Sequence, residues 1–231
     1  MFVKTGIEDC GQLNRKGGLI MKTIARILVA SLLCIATANA GNLIVNGDFD
    51  QNAPASGCAA GTTTVYGWKI LAGNVDIDSA APGCSGVSPV IGGHFIDLTG
   101  SHAEDGENDV GVLYQEIPTK VGTVYQLTFY FGGNAGWQNL PYPNDGPLKA
   151  MQLYVNSVLI QTYTVNTSGT VPIGSNPQWV LGTYTFTATS TTTVISFHSL
   201  NGTGSVADPN GMPAAASDFG PLLSGVSLVA L

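Results

Sequence analysis

Residues 110–134 read V-G-V-L-Y-Q-E-I-P-T-K-V-G-T-V-Y-Q-L-T-F-Y-F-G-G-N. The stretch holds two strand patterns, separated by a short turn over residues 118–122. In the second pattern Tyr125, Leu127, Phe129 and Phe131 fall on one face, and Gln126, Thr128 and Tyr130 on the other. A period of two marks an antiparallel strand buried on one side. Such a strand needs partners, and the rest of the chain is expected to supply strands that cover its apolar face.

Upstream, residues 42–50 (N-L-I-V-N-G-D-F-D) read as a short strand running into a turn. Residues 51–61 form a small, polar loop carrying Cys58, and residues 62–71 a strand holding Gly67-Trp68. In residues 73–79, Val75 and Ile77 oppose Asp76 and Asp78. A Pro/Gly/Ser loop with Cys84 covers residues 80–93. In residues 94–99, Ile96 and Leu98 point inward, and Phe95 and Asp97 outward. Residues 100–109 are an acidic loop.

Downstream, residues 134–148 form a long loop. Residues 149–165 form a hairpin turning at Asn156-Ser157. Residues 166–177 are loop, and residues 178–188 and 192–200 are strands around Thr189-Ser190-Thr191. A Gly/Pro/Ala loop over residues 201–217 leads to a last strand over residues 219–231. Roughly ten short strands with regular turn signals and no helix predict an all-β fold. The expected architecture is an antiparallel β-sandwich of jelly-roll type. There is no repeat and no heptad, and the oligomeric state stays open.

Residues 21–40 have the pattern of an export signal. Met21-Lys22-Thr23-Ile24-Ala25-Arg26 is a charged start, residues 27–36 are apolar, and Ala38-Asn39-Ala40 precedes Gly41. The apolar run is too short for a membrane span. Leu33 precedes Cys34, where a lipoprotein site needs a small residue, so no lipid is expected there. The polar leader at residues 1–20 is foreign to such signals. Lys16-Gly17-Gly18 can be encoded by A/G-rich codons resembling a ribosome-binding site, so translation is expected to start at Met21. A peptide covering residues 7–14 in the unprocessed precursor would overturn that expectation.

Removing 40 of 231 residues leaves 191, enough for one domain with a sizeable core. Only Lys69, Lys120 and Lys149 remain as basic residues, against 13 acidic ones (15 less Glu8 and Asp9), a net charge of 3 − 13 = −10. Such a chain repels nucleic acid and anionic lipid, and suits neutral ligands or cations. In an exported chain Cys58 and Cys84 are expected to form one disulfide. Two cysteines and three scattered histidines exclude a zinc site of ordinary type.

Ordered motifs carry a family likeness: N-L-I-V-N-G-D-F-D, then G-W, H-F-I-D-L-T-G, Y-Q-E-I-P and Y-Q-L-T-F-Y-F-G-G-N. Near the end follow W-V-L-G-T-Y-T-F-T-A-T-S-T-T-T-V-I-S-F and F-G-P-L-L-S-G-V-S-L. Over residues 42–231 this order resembles the bacterial choice-of-anchor C family. More distantly it resembles the plant cell-wall proteins of the domain of unknown function 642 family. The resemblance implies a galactose-binding-like jelly roll, a carbohydrate partner, and no catalytic residues to carry over. It also implies a structural calcium between the first and last strands, matched by Asp48 and Asp50. Relatives carry an Asp where this chain has Ser224-Gly225, which removes a closing ligand. Members often end in a sorting anchor. This chain ends at Leu231 without an apolar tail or basic cluster, so free secretion is expected.

Two loops offer chemistry. Glu104, Asp105, Glu107 and Asp109, with Asn108 around Gly106, supply the oxygen ligands a hard cation such as calcium needs, though not at EF-hand spacing. The alternative is a solvated acidic loop. Trp137, Gln138, Asn139 and Tyr142 combine aromatic rings with amides, the pairing that holds a sugar by its C–H face and its hydroxyls. The alternative is that Trp137 caps the sandwich edge. Trp68 and Trp179 sit in strand patterns and are assigned to the core. His94 and His198 are placed at the rim; a dyad with Asp97 or Asp76, or a carboxylate pair of glycosidase type, is the enzymatic alternative. No nucleophile elbow, HExxH or phosphate loop is present.

These readings converge on a secreted, non-catalytic module that binds cell-wall or extracellular polysaccharide. Its competitors are a matrix protein that binds proteins or itself, and a polysaccharide hydrolase.

Overall fold

The computed structural model describes residues 41–101, 110–135, 147–168, 177–201 and 219–231. Among them are eleven strands and no helix. In chain order these are β1 (Ala59–Thr62), β2 (Lys69–Ala72), β3 (Val75–Ser79), β4 (His94–Asp97), β5 (Val112–Pro118) and β6 (Val124–Gly133). They continue with β7 (Leu148–Val155), β8 (Val158–Asn166), β9 (Val180–Thr187), β10 (Thr192–Ser199) and β11 (Pro221–Ala230). One sheet has six strands in the order β1-β3-β4-β11-β6-β9, and the other five in the order β2-β5-β10-β7-β8. All pairings are antiparallel. The fold is the expected antiparallel β-sandwich of jelly-roll type.

The alternation in β6 sets the core. Tyr125, Leu127, Phe129 and Phe131 are buried while the intervening residues are not. Phe129 stands edge-on to Tyr163 and Phe197 from the facing sheet, at 5.2 and 5.0 Å between ring centroids. Its ring occupies the space above Gly182 on β9, where a Cβ would lie 2.4 Å from the ring. Asn156 and Ser157 both take positive φ, the turn geometry that matches strand twist, so β7 and β8 form the expected hairpin.

The neighbours in the opening stretch are not partners. β5 belongs to the five-stranded sheet and β6 to the six-stranded one, so residues 119–123 arch across the sandwich. The β9–β10 connection does the same. The two arches bond to each other through Thr119 N–H to Thr191 O, Gly122 N–H to Ala188 O, and Ala188 N–H to Thr123 O.

Three expectations need correction. Residues 42–50 form turns rather than a strand, with Asn46 and Phe49 at φ 53° and 60°. Side-chain bonds replace the ladder: Leu228 N–H donates to Asn42 Oδ1, Asn42 Nδ2 donates to Val226 O, and Gln51 N–H donates to Asn46 Oδ1. Residues 62–71 are not one strand: β1 ends at Thr62, a turn through Gly67 at φ 79° follows, and β2 begins at Lys69. Trp68 closes that turn, donates from Nε1 to Asn46 O, and is buried against Phe49 and Phe197. Trp179 precedes β9 and packs outside the main core.

The outward-facing side of β4 is also buried, because a second layer covers it. Phe95 and Leu222 form a small cluster with Val87 and the half-buried Trp179. Phe95 meets Trp179 edge-on at 5.8 Å, and Trp179 Nε1 donates to Ser88 O. The covering loop is tied at several points. Ser85 N–H donates to Asp78 Oδ1, Gly93 N–H donates to Asp50, and the Cys58–Cys84 disulfide anchors the loop with Cα atoms 5.8 Å apart. No helix among the described residues is long and apolar enough to cross a membrane.

Candidate functional site

Among the described residues, the outer face of the five-stranded sheet carries no such cover of apolar side chains. On β5, Leu113, Gln115 and Ile117 turn inward, which sends Val112, Tyr114 and Glu116 outward. On β10, Val194, Ser196 and His198 turn outward, and on β7 Gln152 and Tyr154 do so. Strand register assembles these into rows. Lys69, Tyr114, Ser196 and Tyr154 are successive cross-strand partners on β2, β5, β10 and β7. Val112, His198, Gln152 and Thr162 form the adjacent row. Tyr114 and Tyr154 are thus two strands apart, about 10 Å at ordinary strand spacing. Between them lies the small Ser196.

Each polar group on this face has a defined role. The Tyr154 ring stacks on His198 with centroids 4.3 Å apart and 24° between planes. The Tyr154 hydroxyl donates to Gln152 Oε1 at 2.8 Å. The Gln152 amide reaches Thr162 Oγ1 at 3.4 Å. Ser196 Oγ and His198 Nε2 are 3.1 Å apart. Burial lowers the His198 pKa below its ordinary value, so the imidazole is neutral at pH 7 and offers one donor and one acceptor. Lys69 pairs with Glu116 at 3.4 Å and lies 5.5 Å from the Tyr114 ring centroid. Both partners of this ion pair are more than half exposed, so it adds little stability but neutralises the rim.

Aromatic faces beside hydroxyl, amide and imidazole groups can hold a polyhydroxylated ring: C–H groups on the tyrosines, hydroxyls on the polar atoms. The sequence offered a signal here. Tyr114 in L-Y-Q-E-I and Tyr154 in Q-L-Y-V are aromatics on the polar side of alternating strands. Neither was among the expected ligands.

Trp137, Gln138, Asn139 and Tyr142 lie outside the described residues, as do Glu104, Asp105, Glu107 and Asp109. Asp48 and Asp50 sit in the N-terminal turns. Asp50 accepts from Gly93 N–H at 2.8 and 3.0 Å and contacts His94 Nδ1 at 2.8 Å, which commits its carboxylate. Asp48 lines a groove of about 360 Å³ with Asn42, Ile44, Gln51, Ile91 and Ser227. Ser224 is fully buried with its hydroxyl unpartnered. Among the described residues, the single trio of Cys, His or acidic side chains close enough to share an ion is Cys58, Asp78 and Cys84, and its two sulfurs are the disulfide.

The histidine–aspartate dyads considered from the sequence do not form among the described residues. Asp97 is 1% exposed and accepts from Thr99 N–H, Gly220 N–H and Asn134 Nδ2. Burial, then the neighbouring charge of Asp76, raises its pKa well above the usual carboxylate value. Asp76 accepts from Gly61 N–H, Ser101 N–H and Ser101 Oγ, and burial raises its pKa as well. These carboxylates brace loop ends.

No family model matches the chain. It is 27% identical over 192 residues to halomucin of Haloquadratum walsbyi, covering 76% of this chain but only 2% of that protein. The Stig cyclase Fisc from Fischerella sp. TAU is similar in structure, with a TM-score of 0.51 and 16% identity, covering 83% of this chain and 98% of that one. A carbohydrate-binding module, TmCBM61, solved with β-1,4-galactotriose, has a TM-score of 0.46 and 15% identity, covering 82% and 99%. At such identities the likeness to solved structures is one of fold.

Proposed function

We propose that the protein is an exported, non-catalytic domain that binds a glycan on the outer face of its five-stranded sheet. The observation that carries this reading is the register row Tyr114–Ser196–Tyr154, two aromatic rings flanking a hydroxyl, with His198 and Gln152 alongside. The rest of the described surface supports the choice. The opposite sheet face is closed by Phe95, Leu222, Val87 and Trp179. A net charge of −10 after signal removal, from 3 basic and 13 acidic residues, disfavours polyanions. The Cys58–Cys84 disulfide supports a destination outside the reducing cytoplasm.

The test is the melting temperature of residues 41–231 across plant and bacterial polysaccharides. A ligand that binds only the folded state raises it. The expected result is a rise with at least one glycan, lost in Tyr114→Ala and Tyr154→Ala. A rise that survives both substitutions would move the site elsewhere. Release of reducing ends would overturn the non-catalytic reading.

A further inference from the structure

Resting on that glycan-binding reading, we infer that the platform takes a single, soluble, neutral oligosaccharide chain lying across the strands, and neither a crystalline polysaccharide surface nor a polyuronate. Direction follows from register. Tyr114 and Tyr154 occupy one cross-strand row on β5 and β7, with β10 between them. A chain that touches both rings must cross the strands, and the separation of about 10 Å places the rings under different sugar units.

Single-chain binding follows from twist and relief. Neighbouring strands rotate by 20–25°, so positions two strands apart turn by roughly 45° relative to each other. A flat crystal face needs coplanar rings, and a row that turns this far cannot lie on one. A free chain can turn about its glycosidic bonds and follow the sheet. The relief agrees: Ser196, between the two half-buried tyrosines, is only 9% exposed, so the row is a recess rather than a raised plateau.

Neutrality follows from the charges. Among the described residues, the ionised groups around the row are Lys69 and Glu116, and they pair with each other. His198 on the adjacent row is held neutral. A chain of carboxylates would meet no uncommitted cation here, on a protein that is already acidic.

The experiment uses residues 41–231. Calorimetry is run with neutral β-linked gluco-, manno-, xylo- and galacto-oligosaccharides from monosaccharide to hexasaccharide. Retention is measured on crystalline cellulose and chitin, and binding to polygalacturonate at low salt. Affinity for the preferred series is expected to rise roughly tenfold, about 1.4 kcal/mol, between monosaccharide and trisaccharide. Tyr154→Ala should erase the rise, Tyr154→Phe should keep most of it, and melting should confirm that both variants are folded. Crystalline powders should retain no more than background, and polygalacturonate should bind more weakly than the matched neutral chain. Equal or stronger retention on crystalline powder, a preference for polygalacturonate, or equal affinity for monosaccharide and trisaccharide would each overturn the inference while leaving glycan binding intact. Failure of every glycan in every form would remove the underlying reading and this inference with it.

Discussion

The two sheets turn their outer faces to different uses. On the six-stranded sheet the outward residues of β4 are Phe95 and Asp97, and both are buried, one under Trp179 and the other under Gly220 and Asn134. On the five-stranded sheet the outward residues of β5, β10 and β7 include Tyr114, Ser196, His198, Gln152 and Tyr154, and the tyrosines stay half open. Among the described residues, one face is covered and the other is half open. The difference comes from residues 80–93, a loop pinned by a disulfide, a tryptophan and two aspartates, which has no counterpart described over the five-stranded sheet.

The largest effect that tests this contrast is Phe95→Ala. Deleting a fully buried phenylalanine should cost about 3–5 kcal/mol in urea unfolding, without altering glycan affinity of the folded fraction. Equal loss of affinity would mean that the two faces are not separate. Next comes the Cys58→Ser/Cys84→Ser double variant, expected to lose about 3 kcal/mol and again to bind glycan normally. Unchanged stability would show that the loop is held by its side-chain contacts alone.

Tyr154→Ala reverses the pattern. Stability should fall by about 1 kcal/mol, the scale of one cross-strand aromatic pair, while glycan affinity drops about tenfold. A large stability loss with normal affinity would make Tyr154 structural.

The smallest effect is in pH, and its sign differs between the faces. His198 has a folded-state pKa below 6.5, so its contribution to stability is complete above 6.5 and is lost as pH falls from there through the lowered folded value. His198→Gln should flatten that limb. Asp97 has a folded-state pKa well above 3.8, so its contribution is complete below 3.8 and is lost as pH rises through the folded value. Urea midpoints across pH for wild type and His198→Gln would separate the two. An acid limb unchanged by His198→Gln would remove that histidine from the account.

The strand content was legible: β6 falls where period two predicts, β5, β10 and β11 fall within stretches read as strands, and Asn156-Ser157 marks its hairpin. Sheet membership was not legible. The short connections after Pro118 and after Thr187 look like hairpin turns in sequence, yet each carries the chain to the other sheet. Period two also named Phe95 and Asp97 as outward but could not show that Val87 and Trp179 would cover the one and Gly220 and Asn134 the other. The N-terminal strand failed because Asn42 and Asn46 offered side-chain bonds in place of a ladder. In sequence, aromatics and acids cluster in the loops, which is why the expected ligands lay there. Tyr114 and Tyr154 are 40 residues apart, and only register through β10 brings them into one row.

β11, the last strand in the chain, is not at an edge. It lies between β4 and β6, pairs with both, and also receives the N-terminal segment through Asn42 and Leu43. Until residues 221–230 are in place, the six-stranded sheet is two separate halves, and Asn42 and Leu43 lack their β11 partners. Contacts of such long sequence separation make for slow folding. The six-stranded sheet therefore closes only once residues 221–230 are available, a constraint set by strand order rather than by any one contact.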